Sequence, residues 1–235
     1  MHKRNKLLKD VRPLYKGFLN YLHKRRRTLA YIQTLCQLED YLTKEFAGFI
    51  MERSRGSVMP RLNFGDKIDG RRIDLALTSG DHSDVADKRS FKEKLTIRGF
   101  VELKYFSYGN RFSISRDTVR STLKDLYRQL GKFEHEKFGR YSVKLRSPKN
   151  EIYGIVFASF VHPQKGKPYT DTEEVRSIER KAKEESFLSF NNKRPNLKRV
   201  YENVNVRMLQ AEYKVSLYAG LWRKLSTTEV GANPS

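Results

Sequence analysis

The sequence predicts an α/β domain with a mixed central sheet flanked by helices. Three observations predict it. Apolar residues recur at steps of three and four over residues 28–53 and again over 117–137, the period of amphipathic helices. β-Branched and aromatic residues gather over 72–77, 96–106 and 152–161, as strands require. In chain order these segments run helix, strand, strand, helix, strand, a pattern that layers helices on a sheet.

Residues 1–27 form a basic N-terminal arm with ten Lys or Arg and one acid, Asp10, and so carry nine of the 21 excess positive charges. Leu7, Leu8, Leu14, Phe18, Leu19 and Leu22 interleave with those charges, which favours a short amphipathic helical piece over a disordered tail. Residues 28–225 make the main domain, and 226–235 read as a flexible C-terminal tail. In the first helix Leu35, Leu38, Leu42, Phe46, Phe49 and Ile50 form the apolar stripe.

Two strands follow that helix. In 72–77, Ile73, Leu75 and Leu77 share one face and Arg72, Asp74 and Ala76 the other. The polar stretch 79–94 between the strands reads as a long connection. Asp117 or Thr118 caps the next helix, whose stripe is Val119, Leu123, Leu126, Leu130 and Phe133. Residues 152–161 are almost continuously apolar, which predicts a central strand covered on both faces. Thr170 and Glu173 have capping-box spacing for a helix over 171–188. Within 204–225, Val204, Val206 and Met208 suggest a strand, followed by either a strand or a helix.

The chain is strongly basic, with 48 Lys and Arg against 27 Asp and Glu. A net charge of +21 exceeds what solubility needs and has the sign that a polyphosphate attracts, so DNA or RNA is the leading partner. A solvated basic surface, or one resting on anionic lipid, is the alternative. The lone Cys36 excludes an internal disulfide and disfavours a thiolate zinc site, which points to an intracellular, cytoplasmic or nucleoid-associated protein. No apolar run approaches the roughly 20 residues of a membrane span.

Chemistry concentrates in the two strands after the first helix. Residues two apart on a strand point to one face, so Glu102 and Lys104 project together while Val101, Leu103 and Tyr105 enter the other side. Antiparallel pairing of the two strands can bring Asp74 beside Glu102. Two like charges about 4 Å apart repel by about 4 kcal/mol at an effective dielectric of 20, a conflict that a divalent cation resolves. On the first helix Glu39 falls inside the arc bounded by Leu38 and Ile50, with Glu45 at its edge as the second candidate acid. Gln129 lies one turn before Phe133, near the margin of the next helix's apolar face, where its amide can reach a phosphate or a water. The ordinary alternative for a Glu-X-Lys strand is a surface salt bridge.

The segments Arg72-Ile73-Asp74-Leu75-Ala76-Leu77 and Gly99-Phe100-Val101-Glu102-Leu103-Lys104 resemble the paired motif strands of the PD-(D/E)XK nuclease superfamily, over roughly residues 28–160. The resemblance implies a restriction-endonuclease-like core and a magnesium-dependent deoxyribonuclease, for which manganese can substitute. It implies that Asp74, Glu102 and the Leu103 carbonyl bind the metal, with Glu39 as the acid from the first helix. Lys104 would orient or activate the attacking water, and Gln129 with Phe133 is similar to the Gln-aromatic pair of the RecB-like branch. Ile73 stands where the family has Pro. A nuclease-like domain that binds without cutting and an RNA-directed basic protein are the rival readings.

Other chemistries find little support. The five histidines form no close-spaced ligand pair, and there is no Walker-type Gly-rich loop and no Gly-X-Ser-X-Gly elbow. Any ATP-driven step would need a partner ATPase, and a separate recognition subunit is equally compatible.

Overall fold

A computed structural model describes residues 11–35, 38–55, 58–66, 71–79, 96–109, 116–132, 137–138, 141–142, 144–145, 152–164, 171–189, 191 and 193–224. The architecture is α/β, with helices flanking a mixed sheet. The elements are α1 (Val11–Lys24), α2 (Arg26–Leu35), α3 (Glu39–Ser54), β1 (Met59–Asp66), β2 (Arg71–Ser79), β3 (Thr96–Gly109) and α4 (Arg116–Lys132). There follow β4 (Lys137–Phe138), β5 (Tyr141–Ser142), β6 (Lys144–Leu145), β7 (Ile152–Pro163), α5 (Asp171–Glu184), β8 (Phe187–Ser189), β9 (Lys198–Met208) and β10 (Ala211–Lys224). The chain divides into two units.

The first unit comprises Met1–Phe18, Glu39–Leu103 and Arg128–Tyr153. Here α3 packs on β1 and β2 and buries Leu42, Phe46 and Ile50. Phe18 lies 4.7 Å from the Phe46 ring and 5.7 Å from Phe49, centroid to centroid. Gly17 permits this approach, since a Cβ there would meet the Phe49 ring at 2.9 Å. Antiparallel pairing joins β1 to β2 from Met59↔Thr78 to Asp66↔Arg71, and β2 to β3 from Leu75↔Val101 to Ser79↔Thr96. β6 runs parallel to β3 at Thr96↔Lys144, which makes the sheet mixed.

The second unit comprises Leu19–Leu38, Lys104–Tyr127 and Gly154–Ser235. β7 lies between β3 and β10, and residues 153–160 are buried without interruption. This is the central, doubly covered strand expected from its apolar run. β10 pairs with β7 along one edge and with β9 and then β8 along the other. Trp222, fully buried, donates from Nε1 to the Asn196 carbonyl at 3.1 Å. Gly220 makes room for it, because a Cβ would come within 2.6 Å of that indole nitrogen and 2.7 Å of that carbonyl.

Several expectations need correction. The single helix over 28–53 is two, since α2 ends at Leu35 and α3 begins at Glu39. Leu38, outside either helix, is fully buried, so the apolar stripe runs through the break and hides it. Three strands follow α3 instead of two; β1 carries Pro60 and Gly65, residues depleted in strands, and Pro60 is tolerated because β1 ends the strand order. The helix expected over 171–188 stops at Glu184, where Ser186 takes φ 62° and turns the chain into β8. The undecided C-terminal stretch is the β9–β10 hairpin, turned at Leu209 with φ 52°. Residues 80–95, Phe133 and Thr170 lie outside the described residues.

In the second unit α2 packs on β9 and β10 and inserts a polar residue, Gln33. Its Nε2 donates to Ser159 Oγ and, at 3.4 Å, to the Ser216 carbonyl, while the Tyr201 hydroxyl donates to Gln33 Oε1. Burial, with a lesser contribution from Tyr105, holds the Tyr201 phenol well above its ordinary pKa and keeps it a donor. Tyr201→Phe deletes that donor and leaves a buried amide oxygen unsatisfied. The expected loss is about 1–3 kcal/mol in urea unfolding, and an unchanged midpoint would show that the network contributes nothing.

Candidate functional site

Asp74 and Glu102 are brought together where the β2–β3 ladder stops. Continuing the register Leu75↔Val101 by one residue sets Asp74 opposite Glu102, on the same face of the pair. Among the described residues no backbone pairing between the strands extends past Leu75↔Val101, although both strands continue. Side chains take over at that point. The Asp74 N–H donates to Glu102 Oε2 at 3.1 Å, and the Leu103 N–H donates to Asp74 Oδ2 at 2.8 Å. Each strand thus gives a carboxylate to the other's backbone, a charge-assisted pairing that satisfies donors the ladder no longer serves.

The surroundings set the electrostatics. Ala76, Thr78 and Phe100, which share the face of the two acids, are buried, and so are Ile73, Leu75, Val101 and Leu103 on the other face. Glu102 is only 4% exposed and Asp74 is half-buried. A carboxylate removed from water costs several kcal/mol unless donors or cations compensate, and the Asp74 N–H is one such donor. Lys104, two residues along β3 from Glu102, is half-buried.

The other candidates are placed differently. Glu39 is the first residue of α3, half-buried, and with Asp40 it supplies acid to the helix's first turn, where the macrodipole favours negative charge. Its backbone carbonyl accepts from Thr43 Oγ1 at 2.9 Å. Glu45, the alternative, is half-buried two turns further on. Among the described residues no group of three or more His, Cys, Asp or Glu forms a metal-holding cluster, so neither acid joins Asp74 and Glu102 in such a set. Gln129, in the last turns of α4, has its Oε1 buried with no hydrogen-bond partner among the described residues. Buried polar atoms are nearly always bonded, so this one is suited to meet a water or ligand atom.

Sequence reasoning missed two features. One is the role of the backbone N–H groups of Asp74 and Leu103, for which the only signal was an acid opposite an acid at the end of a ladder. The other is a polar cluster in the second unit, where His162 Nε2 lies 2.6 Å from Asp171 Oδ1 at the start of α5. His162 stacks near Phe160, which also meets Tyr108 and Tyr218. His162 and Asp171 lie nine positions apart in the sequence, and nothing in the local pattern announces the pairing.

The reciprocal bonds have a thermodynamic consequence. Asp74→Ala strips the Leu103 N–H of its acceptor and should cost about 1–3 kcal/mol, whereas Asp74→Asn keeps an oxygen there and should cost under about 1 kcal/mol. Urea unfolding of both variants checks this, and equal losses would mean the Leu103 bond is immaterial.

Comparison with known proteins finds no family model, no curated protein and no solved structure that matches this chain.

Proposed function

We propose that the chain is a magnesium-dependent deoxyribonuclease with a restriction-endonuclease-like core of the PD-(D/E)XK type. The observation that carries this reading is the reciprocal pairing of Asp74 and Glu102 at the end of the β2–β3 ladder, with Lys104 two residues beyond on β3. Opposed acids on adjacent strands are electrostatically costly, and a function that uses a cation explains their being kept together. Support also comes from the net charge of +21, which suits a phosphodiester substrate.

Magnesium prefers a tight octahedron of oxygens, retains several waters, and is commonly held by one or two carboxylates. Asp74 and Glu102 fit that donor set, with the Leu103 carbonyl as a third oxygen. Manganese suits the same ligands. When bound, the ion supplies Lewis acidity and a water of lowered pKa. The chain's own groups do the rest. Lys104 sets a positive charge beside the phosphate, where negative charge develops in the transition state. Gln129, whose buried Oε1 has no hydrogen-bond partner among the described residues, would accept a hydrogen bond from the attacking water, and Glu39 would serve as the more remote helix acid.

A second reading, a nuclease-like domain that binds nucleic acid without cutting, is favoured by one observation. Among the described residues the two acids are engaged with backbone N–H groups and no third acid joins them.

Two experiments separate these readings. Magnesium or manganese should support cleavage of plasmid and linear DNA, and calcium should support binding with little turnover, because calcium tolerates looser, higher coordination. Cleavage that persists in excess chelator would remove the metal from the account, and cleavage of RNA alone would transfer it to an RNA substrate.

Asp74→Asn and Lys104→Ala should each lower magnesium-dependent cleavage by about 100-fold or more. Their effects on chelator-buffered DNA affinity should oppose one another. Removing the Asp74 charge relieves repulsion of phosphate and leaves affinity equal or higher, while removing the Lys104 charge leaves it equal or lower. Near-normal cleavage by a folded Asp74→Asn protein contradicts the nuclease reading.

A further inference from the structure

The second unit carries a cationic surface that the carboxylate site does not use. It has two parts. Lys24, Arg25, Arg26 and Arg27 form the corner between α1 and α2, and all but the half-buried Arg25 are exposed. Lys193, Arg194, Lys198 and Arg199 lie on the segment that leads into β9, and all four are exposed.

These parts are tied to each other and to the fold. His23 Nδ1, at the end of α1, lies 2.8 Å from the Val200 carbonyl and so carries the proton it donates. Arg26 donates to the His23 carbonyl at 3.4 Å, and the Arg25 guanidinium lies over the Tyr21 ring at 5.2 Å. Residues 193–197 are not regular secondary structure, and Lys198 and Arg199 open β9, yet the backbone of the segment is fastened inward. The Lys193 carbonyl accepts from the Ser189 N–H at 2.9 Å, the Asn196 carbonyl from Trp222, and the Leu197 N–H donates to Glu179 Oε1 at 2.7 Å. Pro195 and Leu197 are buried, while the cations that flank them, Lys193, Arg194, Lys198 and Arg199, are exposed.

Eight cations thus stand on two fastened pieces, with no acid in residues 23–27 or 193–199. Among the described residues, Glu202 and Glu179 border them. Glu202 pairs with Arg199 at 2.5 Å, and Glu179 is turned to the Leu197 backbone. Neither comes close to balancing the surface. A disordered basic tail spreads its charge; a fastened cluster keeps like charges at close quarters, a cost that a polyanion offsets and that raises local phosphate affinity.

We propose that the α1–α2 corner and the 193–199 segment form one sequence-independent binding surface for the phosphate backbone of duplex DNA. This deepens the reading of a nucleic-acid partner and rests on that reading, but it does not depend on cleavage. It also moves the decisive charges away from the N-terminal arm taken by itself, since half of them come from the far end of the chain.

The test uses the full chain in chelator, with two duplexes of unrelated sequence and a salt titration. Three proteins are compared with the parent: Lys24→Gln/Arg26→Gln/Arg27→Gln, Lys193→Gln/Arg194→Gln/Lys198→Gln, and an α5 control, Arg176→Gln/Arg180→Gln/Lys183→Gln. All three lose the same charge. If each patch contacts about three phosphates, the slope of log affinity against log salt should flatten by about 2.7 in either patch variant, equally on both duplexes, and little in the control. Patch variants that match the control, flattening on one duplex alone, or tighter binding to phosphatidylserine vesicles than to DNA each overturn the proposal. A parent that never cleaves with magnesium but shows the patch-dependent slope supports this surface while removing the nuclease reading. A parent that cleaves while the patch variants match the control does the reverse.

Discussion

A polar atom taken out of water must find a partner, and in this protein the sheet is buried deeply enough for that requirement to decide the placement of its polar groups. The central strand β7 and most of β10 have no exposed face. Where α2 introduces Gln33 into such surroundings, the side chain is held by Ser159, the Ser216 carbonyl and Tyr201. Where the β2–β3 ladder ends among buried apolar residues, Asp74 and Glu102 supply the acceptors that the ladder no longer provides. The candidate site is therefore built from the same rule as the core. It differs in using carboxyl groups as the acceptors, where a neutral amide pair would serve the same backbone donors.

A strand end can be tied with Ser, Thr or Asn, at far smaller desolvation cost than with two carboxylates. Buried Glu102 facing half-buried Asp74 is an expensive way to join two strands and an ordinary way to hold a divalent cation. The chain as a whole is strongly positive, so on the proposed reading the paired acids would draw a metal ion and the basic residues would draw phosphate.

Much of this was legible in the sequence where a signal is local and periodic. The apolar run of β7 and the helical stripe of α4 are repeated patterns within one element, and the strand period aligned Glu102 with Lys104. The opposition of Asp74 and Glu102 was also within reach, because antiparallel pairing of two neighbouring strands leaves few registers. What escaped depends on context or on exceptions to propensity. β1 is a strand despite Pro60 because it lies at the end of the strand order, and the hairpin turn at Leu209 uses positive φ without Gly, Asn or Asp. The break between α2 and α3 is masked by buried Leu38. The pairing of His23 with Val200 joins residues 177 apart in sequence and has no local signature.

The central claim is that Asp74 and Glu102 together hold a divalent cation, and metal binding can be measured without reference to any substrate. Titration of the full chain with Mn2+, followed by electron paramagnetic resonance of the unbound ion, counts bound metal directly. The account predicts one or two Mn2+ per chain, with binding weakened by at least about tenfold in Asp74→Asn and in Glu102→Gln, since even groups that only support a ligand alter affinity by about tenfold or more. Absence of stoichiometric binding, or binding that both substitutions leave unchanged, would contradict it.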